Sequence, residues 1–161
     1  MIESVDMQKI VQELLNSQRL AVLATLMSDQ LGRPYSNLIA FAATADLKEI
    51  LFATTRATRK FANLIEDPRV SLLIDNRSNQ ETDFGEASAV TVLGTAGEVL
   101  GSERESYLQL FLKKHPYLEE FVTASTWARS GTWSARSSNS NPARKCGSKG
   151  CASRKKMGSS R

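Results

Sequence analysis

The sequence predicts a mainly β, α+β fold: a small antiparallel barrel with helices packed on its outside. Three observations carry this. Apolar runs of strand length follow one another across turns too short for a parallel crossover, so they must pair antiparallel. The order of elements is helix, three strands, helix, strand, strand, helix, which is not the alternation of a doubly wound sheet. Closing a few strands into a barrel also removes the exposed edges that an open antiparallel sheet would leave.

The elements justify this one by one. Residues 5–17 form an amphipathic helix with Val5, Ile10, Val11, Leu14 and Leu15 on one side. An apolar strand over 20–26 meets a turn of Ser, Asp, Gly and Pro at 28–34, and 35–43 is the return strand of a hairpin. A second turn at 45–48 leads into a strand over 49–55. Thr58 is placed to cap a helix over 58–66 that presents Phe61, Leu64 and Ile65 on one face and stops at Asp67-Pro68. Residues 70–74 are a buried strand, and 76–86 read as a mobile polar loop. Residues 89–100 form a long strand in which Gly94 and Gly97 predict bulges or a sharp bend. Ser102 and Glu105 form a capping box opening a helix over 103–114, and His115-Pro116 ends it.

Charge divides the chain. Residues 124–161 hold nine Lys or Arg and no acid, whereas 1–123 hold the other twelve bases and all seventeen acids, a net of −5. The body is thus mildly acidic, which argues against nucleic acid as a partner. The second segment, with ten serines and no hydrophobic periodicity, reads as a disordered basic tail. Both cysteines, Cys146 and Cys151, lie in it, so the body is cysteine-free, as suits a cytoplasmic protein. Glu3 and Asp6 occupy the region that a signal peptide keeps basic, and no apolar run is long enough to span a membrane.

Catalytic constellations are sparse. The single histidine, His115, reads as a helix C-terminal residue rather than a base, and two cysteines without further ligands do not make a zinc site. The distinctive feature is "ATTRATRK", where Arg56, Arg59 and Lys60 crowd the start of a helix whose dipole disfavours cations. A solvated basic face is the ordinary reading of such a run. A hydroxyl cap, open N–H groups and adjacent cations at the end of a strand are also a ready-made anion site, with the arginine fork suited to phosphate.

The stretches "LAVLATL", "GRPYSNLIAFA", "ILFATTRATRKFANLIEDPRVSLLI" and "AVTVLGTAGEV" together resemble the pyridoxamine 5'-phosphate oxidase-related, FMN-binding split-barrel proteins over roughly residues 5–122. The resemblance implies a split β-barrel homodimer with FMN between subunits. It implies that Thr58, Arg59 and Lys60 grip the FMN phosphate, that Ala53 and Thr54 lie along the flavin, and that Asn37, Leu38, Ile39, Ala40 and Ala42 offer backbone contacts to the ring. The chain departs from the true oxidases. Ala42 stands where they carry a lysine, Ala89 aligns with their glutamine, and nothing supplies their C-terminal Arg-x-His element. The expectation is therefore an FMN-dependent oxidoreductase of unknown small-molecule substrate, and not a vitamin B6 oxidase. The alternatives are a non-catalytic flavin- or haem-binding protein, since "FLKKHPYLEEFV" resembles the haem-utilisation branch, and a deazaflavin (F420)-dependent reductase.

The family's closing strand reads like Val-x-Val-Glu-Arg-Tyr, and residues 131–136 give Gly-Thr-Trp-Ser-Ala-Arg in its place. Codons ACG-TGG-AGC for Thr-Trp-Ser, read one base earlier, yield Val-Glu-Arg. We therefore read the segment from about 124 as a frameshift product, with a genuine disordered tail as the other reading. If the frameshift is real, the sheet is expected to lack its last strand and to expose an unpaired edge.

Overall fold

The structure is a computed structural model and describes residues 2–27, 31–123 and 131–137. In chain order the elements are α1 (Ile2–Ser17), β1 (Leu20–Met27), β2 (Arg33–Ala40), β3 (Ala42–Ala43), β4 (Glu49–Thr54), α2 (Arg59–Glu66), β5 (Arg69–Asp75), α3 (Asp83–Glu86), β6 (Ala89–Glu98), α4 (Glu103–Lys114), a 3-10 turn (Pro116–Leu118), α5 (Glu119–Thr123) and β7 (Gly131–Ser137). All pairings among the seven strands are antiparallel, in the order β2-β1-β5-β6-β7-β4-β3.

The chemistry of the connections rolls this sheet. Its two edge strands, β2 and β3, are separated in the chain by one residue, Phe41, so the sheet must curl until its edges approach. β2 and β4 accordingly come close across the split. Strand alternation then decides what fills the barrel. On β1 the buried set is Ala21, Leu23, Thr25 and Met27, and Ile39, Phe52, Leu72, Ile74 and Val90 meet it in one core with Leu14, Leu15, Phe61 and Leu64 from the helices. The outer face of β2-β1-β5-β6 is less covered. Leu38, Val22 and Leu73 are cross-strand neighbours there, and Leu38 and Leu93 remain 68% and 58% exposed.

Several expectations change. The closing strand is present: Gly131–Ser137 pairs with β4 from Glu49↔Arg136 to Thr54↔Gly131, and with β6 from Gly94↔Ser137 to Glu98↔Trp133. Backbone N–H and C=O groups pair whatever side chains they carry, which is why hydrophobic periodicity did not reveal it. The rest of the tail, 124–130 and 138–161, lies outside the described residues. No bulge interrupts β6, because its register runs unbroken through Gly94 against β5 and through Gly97 against β7.

The polar segment after β5 carries hydrogen bonds of its own. Asn76 Oδ1 accepts from Ser88 N–H at 2.7 Å, and the Asp83 carboxylate accepts from Ser78 and Gln80, folding the short helix α3 into the connection. Ser102 begins α4 in helical geometry and makes no side-chain cap bond, so the capping box is not formed. Ile65, expected beside Phe61 and Leu64, turns outward and is 60% exposed.

His115 is the C-cap residue of α4, as expected, but it is also wholly buried. Its Nε2 lies 2.8 Å from Phe41 O. A carbonyl can only accept, so Nε2 carries the proton and the Tyr117 hydroxyl donates to Nδ1 at 3.0 Å. Lys114 beside it donates to Leu15 O at 2.7 Å and lies 3.9 Å over the Phe41 ring, tying α4 and α1 to the residue where the sheet changes edge. Burial pushes the Lys114 ammonium down to about 8, with Arg19 adding repulsion.

Burial also lowers the His115 pKa below its ordinary 6.5; the Lys114 and Arg19 charges add to this, and the bond to Phe41 opposes it. The unfolded chain thus takes up a proton that the folded chain resists. Stability should hold above pH 6.5 and fall as pH drops from there towards the lowered value. Melting temperatures between pH 7 and 5 should show this fall in the wild type and a flatter profile in His115→Gln.

Candidate functional site

The site expected at the start of α2 is built by three consecutive pieces of local structure. β4 ends at Thr54, a four-residue turn follows, and Thr58 caps α2 in extended geometry (φ −90°, ψ 149°). Thr58 Oγ1 accepts from Phe61 N–H at 3.3 Å, donates to Thr55 O at 2.9 Å and lies 3.0 Å from Thr54 Oγ1. At the other end, Asp67 caps the helix through its own N–H to Asn63 O at 2.8 Å. Its carboxylate also binds Arg69 N–H and guanidinium, and that pairing holds the Asp67 carboxyl down to about 2. The Asp-Pro-Arg stretch is thus a structural clamp that fixes the angle between α2 and β5.

The three cations divide by role. Arg56 donates to Glu98 Oε1 at 2.9 Å and lies over the Phe61 ring, so its charge is met by the protein itself. Arg59 is exposed on the first turn. Lys60 is half-buried, and among the described residues no carboxylate lies within ion-pair distance of it. Desolvation alone lowers its pKa, the mark of a cation held without a counter-charge. A helix N-terminus with open N–H groups beside such an ammonium can hold an anion.

β2 supplies the second wall. Among the described residues it is an edge strand that pairs with β1 alone, leaving its other backbone edge outside the sheet, as the expected ring contacts of Asn37, Leu38, Ile39 and Ala40 require. Asn37 shares the inward face with Ile39, and its Oδ1 is buried without a hydrogen-bond partner. A buried amide in that state is costly unless something else completes it. α2 reaches the same end of the barrel, because Asn63 Nδ2 donates to Thr25 Oγ1 at 2.9 Å and Thr25 in turn bonds Tyr35 O, two residues before Asn37.

Ala53 and Thr54 lie on β4, which approaches β2 across the split. Ala42 differs from the other expected residues. It is 2% exposed and faces Leu51 across β3–β4, so a lysine there would have to bury its charge. Sequence reasoning flagged Asn37 for its backbone only. It missed Glu98, which lies 42 residues from Arg56 and gives no local signal.

A cleft of about 400 Å³ also opens between the end of β6 and the start of α4, walled by Thr95, Glu98, Leu100, Glu103 and Tyr107 among others. Tyr107 there donates to the buried Glu49 carboxylate. The two carboxylates of its wall, Glu98 and Glu103, with no lining cation among the described residues, suit it poorly to phosphate.

The pyridoxamine 5'-phosphate oxidase family model matches residues 7–146, most of the chain. The chain belongs to this family. The match runs past residue 122, where the resemblance was expected to fade, and takes in β7. No curated protein matches the sequence significantly.

Solved structures share the family's fold at low identity. A haem-binding protein from Mycobacterium smegmatis is 20% identical with a TM-score of 0.66, covering 77% of this chain and 48% of its own, so the chain spans about half that relative's length. HutZ, the haem storage protein of Vibrio cholerae, is 16% identical with a TM-score of 0.65, covering 83% and 91%. A FAD-binding protein from Mesorhizobium loti is 15% identical with a TM-score of 0.61, covering 80% and 87%, and an F420 reductase is 18% identical at 0.60, covering 80% and 93%. At such identities the likeness establishes the split-barrel fold alone. Among the described residues no helix is long and apolar enough to cross a membrane.

Proposed function

We propose that the protein binds FMN in the split between β2 and β4 and works as an FMN-dependent oxidoreductase on a small molecule, as a cytoplasmic homodimer. The observation that carries this reading is Lys60, a half-buried ammonium at a capped helix N-terminus with no carboxylate partner among the described residues. Arg59 and Lys60 hold the phosphate. The outer edge of β2 would lie along the ring, and the orphaned Asn37 Oδ1 would accept from a ring N–H. Bound flavin supplies the redox chemistry, exchanging a hydride at N5. No side chain of the chain is needed as acid or base, which accords with how few candidates there are. The uncovered apolar face bearing Leu38 and Leu93 is where a second subunit would bury surface.

Haem is less well served. The only histidine has both ring nitrogens engaged inside the core, and ligating iron through the unprotonated Nδ1 would displace the Tyr117 hydroxyl. The test is a titration of purified protein with FMN, F420 and haem, followed by absorption. FMN should bind most tightly, bleach on reduction, and be carried by a particle of two chains in light scattering. A preparation that takes up haem or F420 in preference to FMN would overturn the reading.

A further inference from the structure

We propose that Thr54 is a positioning residue that locks the phosphate turn, and that the Thr58 hydroxyl is a structural cap rather than a phosphate ligand. This rests on the FMN reading above and assigns the work within that site differently from the resemblance, which gives Thr58 as part of the grip. A threonine hydroxyl has one proton and two acceptor sites. Thr58 Oγ1 lies 2.9 Å from Thr55 O, and a carbonyl cannot donate, so Thr58 gives its proton there. Phe61 N–H fills one acceptor site at 3.3 Å. Thr54 Oγ1, at 3.0 Å, must then be the donor that fills the other. All three positions are taken.

Thr54 is itself 2% exposed at the last residue of β4, so its hydroxyl is set by the packed strand and not by solvent. Turning Thr58 towards a phosphate would strand the buried Thr54 proton, and would leave the Thr55 carbonyl and the Phe61 N–H with their backbone bonds alone, from Thr58 N–H at 3.2 Å and to Thr58 O at 3.1 Å. The anion is therefore left to the first-turn backbone N–H groups and to the Lys60 and Arg59 side chains. Thr54 holds that turn in the shape that aims them, through a chain from strand end to helix start.

The test compares FMN with riboflavin, which lacks the phosphate, by fluorescence titration of the wild type, Thr54→Val and Thr54→Ser. Thr54→Val keeps the shape and removes the donor. It should weaken FMN about three- to tenfold more than it weakens riboflavin, and Thr54→Ser should restore the wild-type ratio. Without any flavin, amide exchange at Phe61 should quicken in Thr54→Val and not in Thr54→Ser. Thr54→Ala makes the same comparison should the valine variant not fold. A wild-type preference for FMN that survives in Thr54→Val overturns the proposal alone. Equal binding of FMN and riboflavin by the wild type overturns the reading of the site and the proposal with it.

Discussion

Replacing Lys60 or Arg59 with alanine should weaken FMN about 10- to 100-fold, as expected for losing a charge-assisted hydrogen bond of about 1.5–3 kcal/mol, and should leave riboflavin nearly unaffected. The two variants should differ in the cofactor-free protein. Lys60 is a partly desolvated cation whose pKa is already depressed, so removing it relieves a cost that the protein bears until an anion arrives. Lys60→Ala without flavin should melt no lower than the wild type, and FMN should protect it less. Arg59 is exposed, and its loss should change the melting temperature little in either direction. Calorimetric titration with both ligands, and melting with and without FMN, measure all of this. Equal losses for FMN and riboflavin in either variant would sink the phosphate assignment.

What was legible in the sequence followed from local chemistry. β1, β4 and β5 are apolar runs that admit one reading, and Thr58 before Phe61 and Leu64 marks a cap that the structure reproduces down to the hydroxyl bond. The misreadings came where distant partners decide. Ser102 and Glu105 have the spacing of a capping box, but Ser102 already has helical backbone angles, so its hydroxyl is not offered to the first turn. Of the bulges or sharp bend that Gly94 and Gly97 suggested, the bulges are absent, since β6 is held on one side by β5 and on the other by β7 and both ladders keep register.

Arg56 looked like a third phosphate cation because Glu98, its partner, is far along the chain. The unsatisfied Asn37 amide could not be seen at all, since satisfaction is a property of the assembled barrel. His115 was legible as a helix end and not as the buried peg under Phe41, for the same reason.

A chain ending at residue 123 should not fold, whereas one ending at residue 137 should fold and bind flavin as the full chain does. β7 lies between β6 and β4, so its removal leaves the second half of β6 and all of β4 with open backbone edges, β4 being the strand that leads to the phosphate turn. Such edges are costly when buried and template aggregation when exposed. The shorter chain should collect in the insoluble fraction, and a soluble, cooperatively melting 1–123 would refute the strand's importance.

The composition of β7 adds a second arm to the experiment. Gly-Thr-Trp-Ser-Ala-Arg-Ser is a poor sequence for a strand paired on both sides. A Val-Glu-Arg reading of the same region would instead match the wording of the family's closing strand. We therefore propose that the frame changes near codon 124, and that restoring it should raise solubility, melting temperature and FMN occupancy together. The nucleotide sequence decides the matter directly: if neither alternative frame past codon 123 encodes a Val-Glu-Arg segment, β7 as it stands is the family's strand in this chain, and its pairing rests on backbone hydrogen bonds rather than on strand propensity.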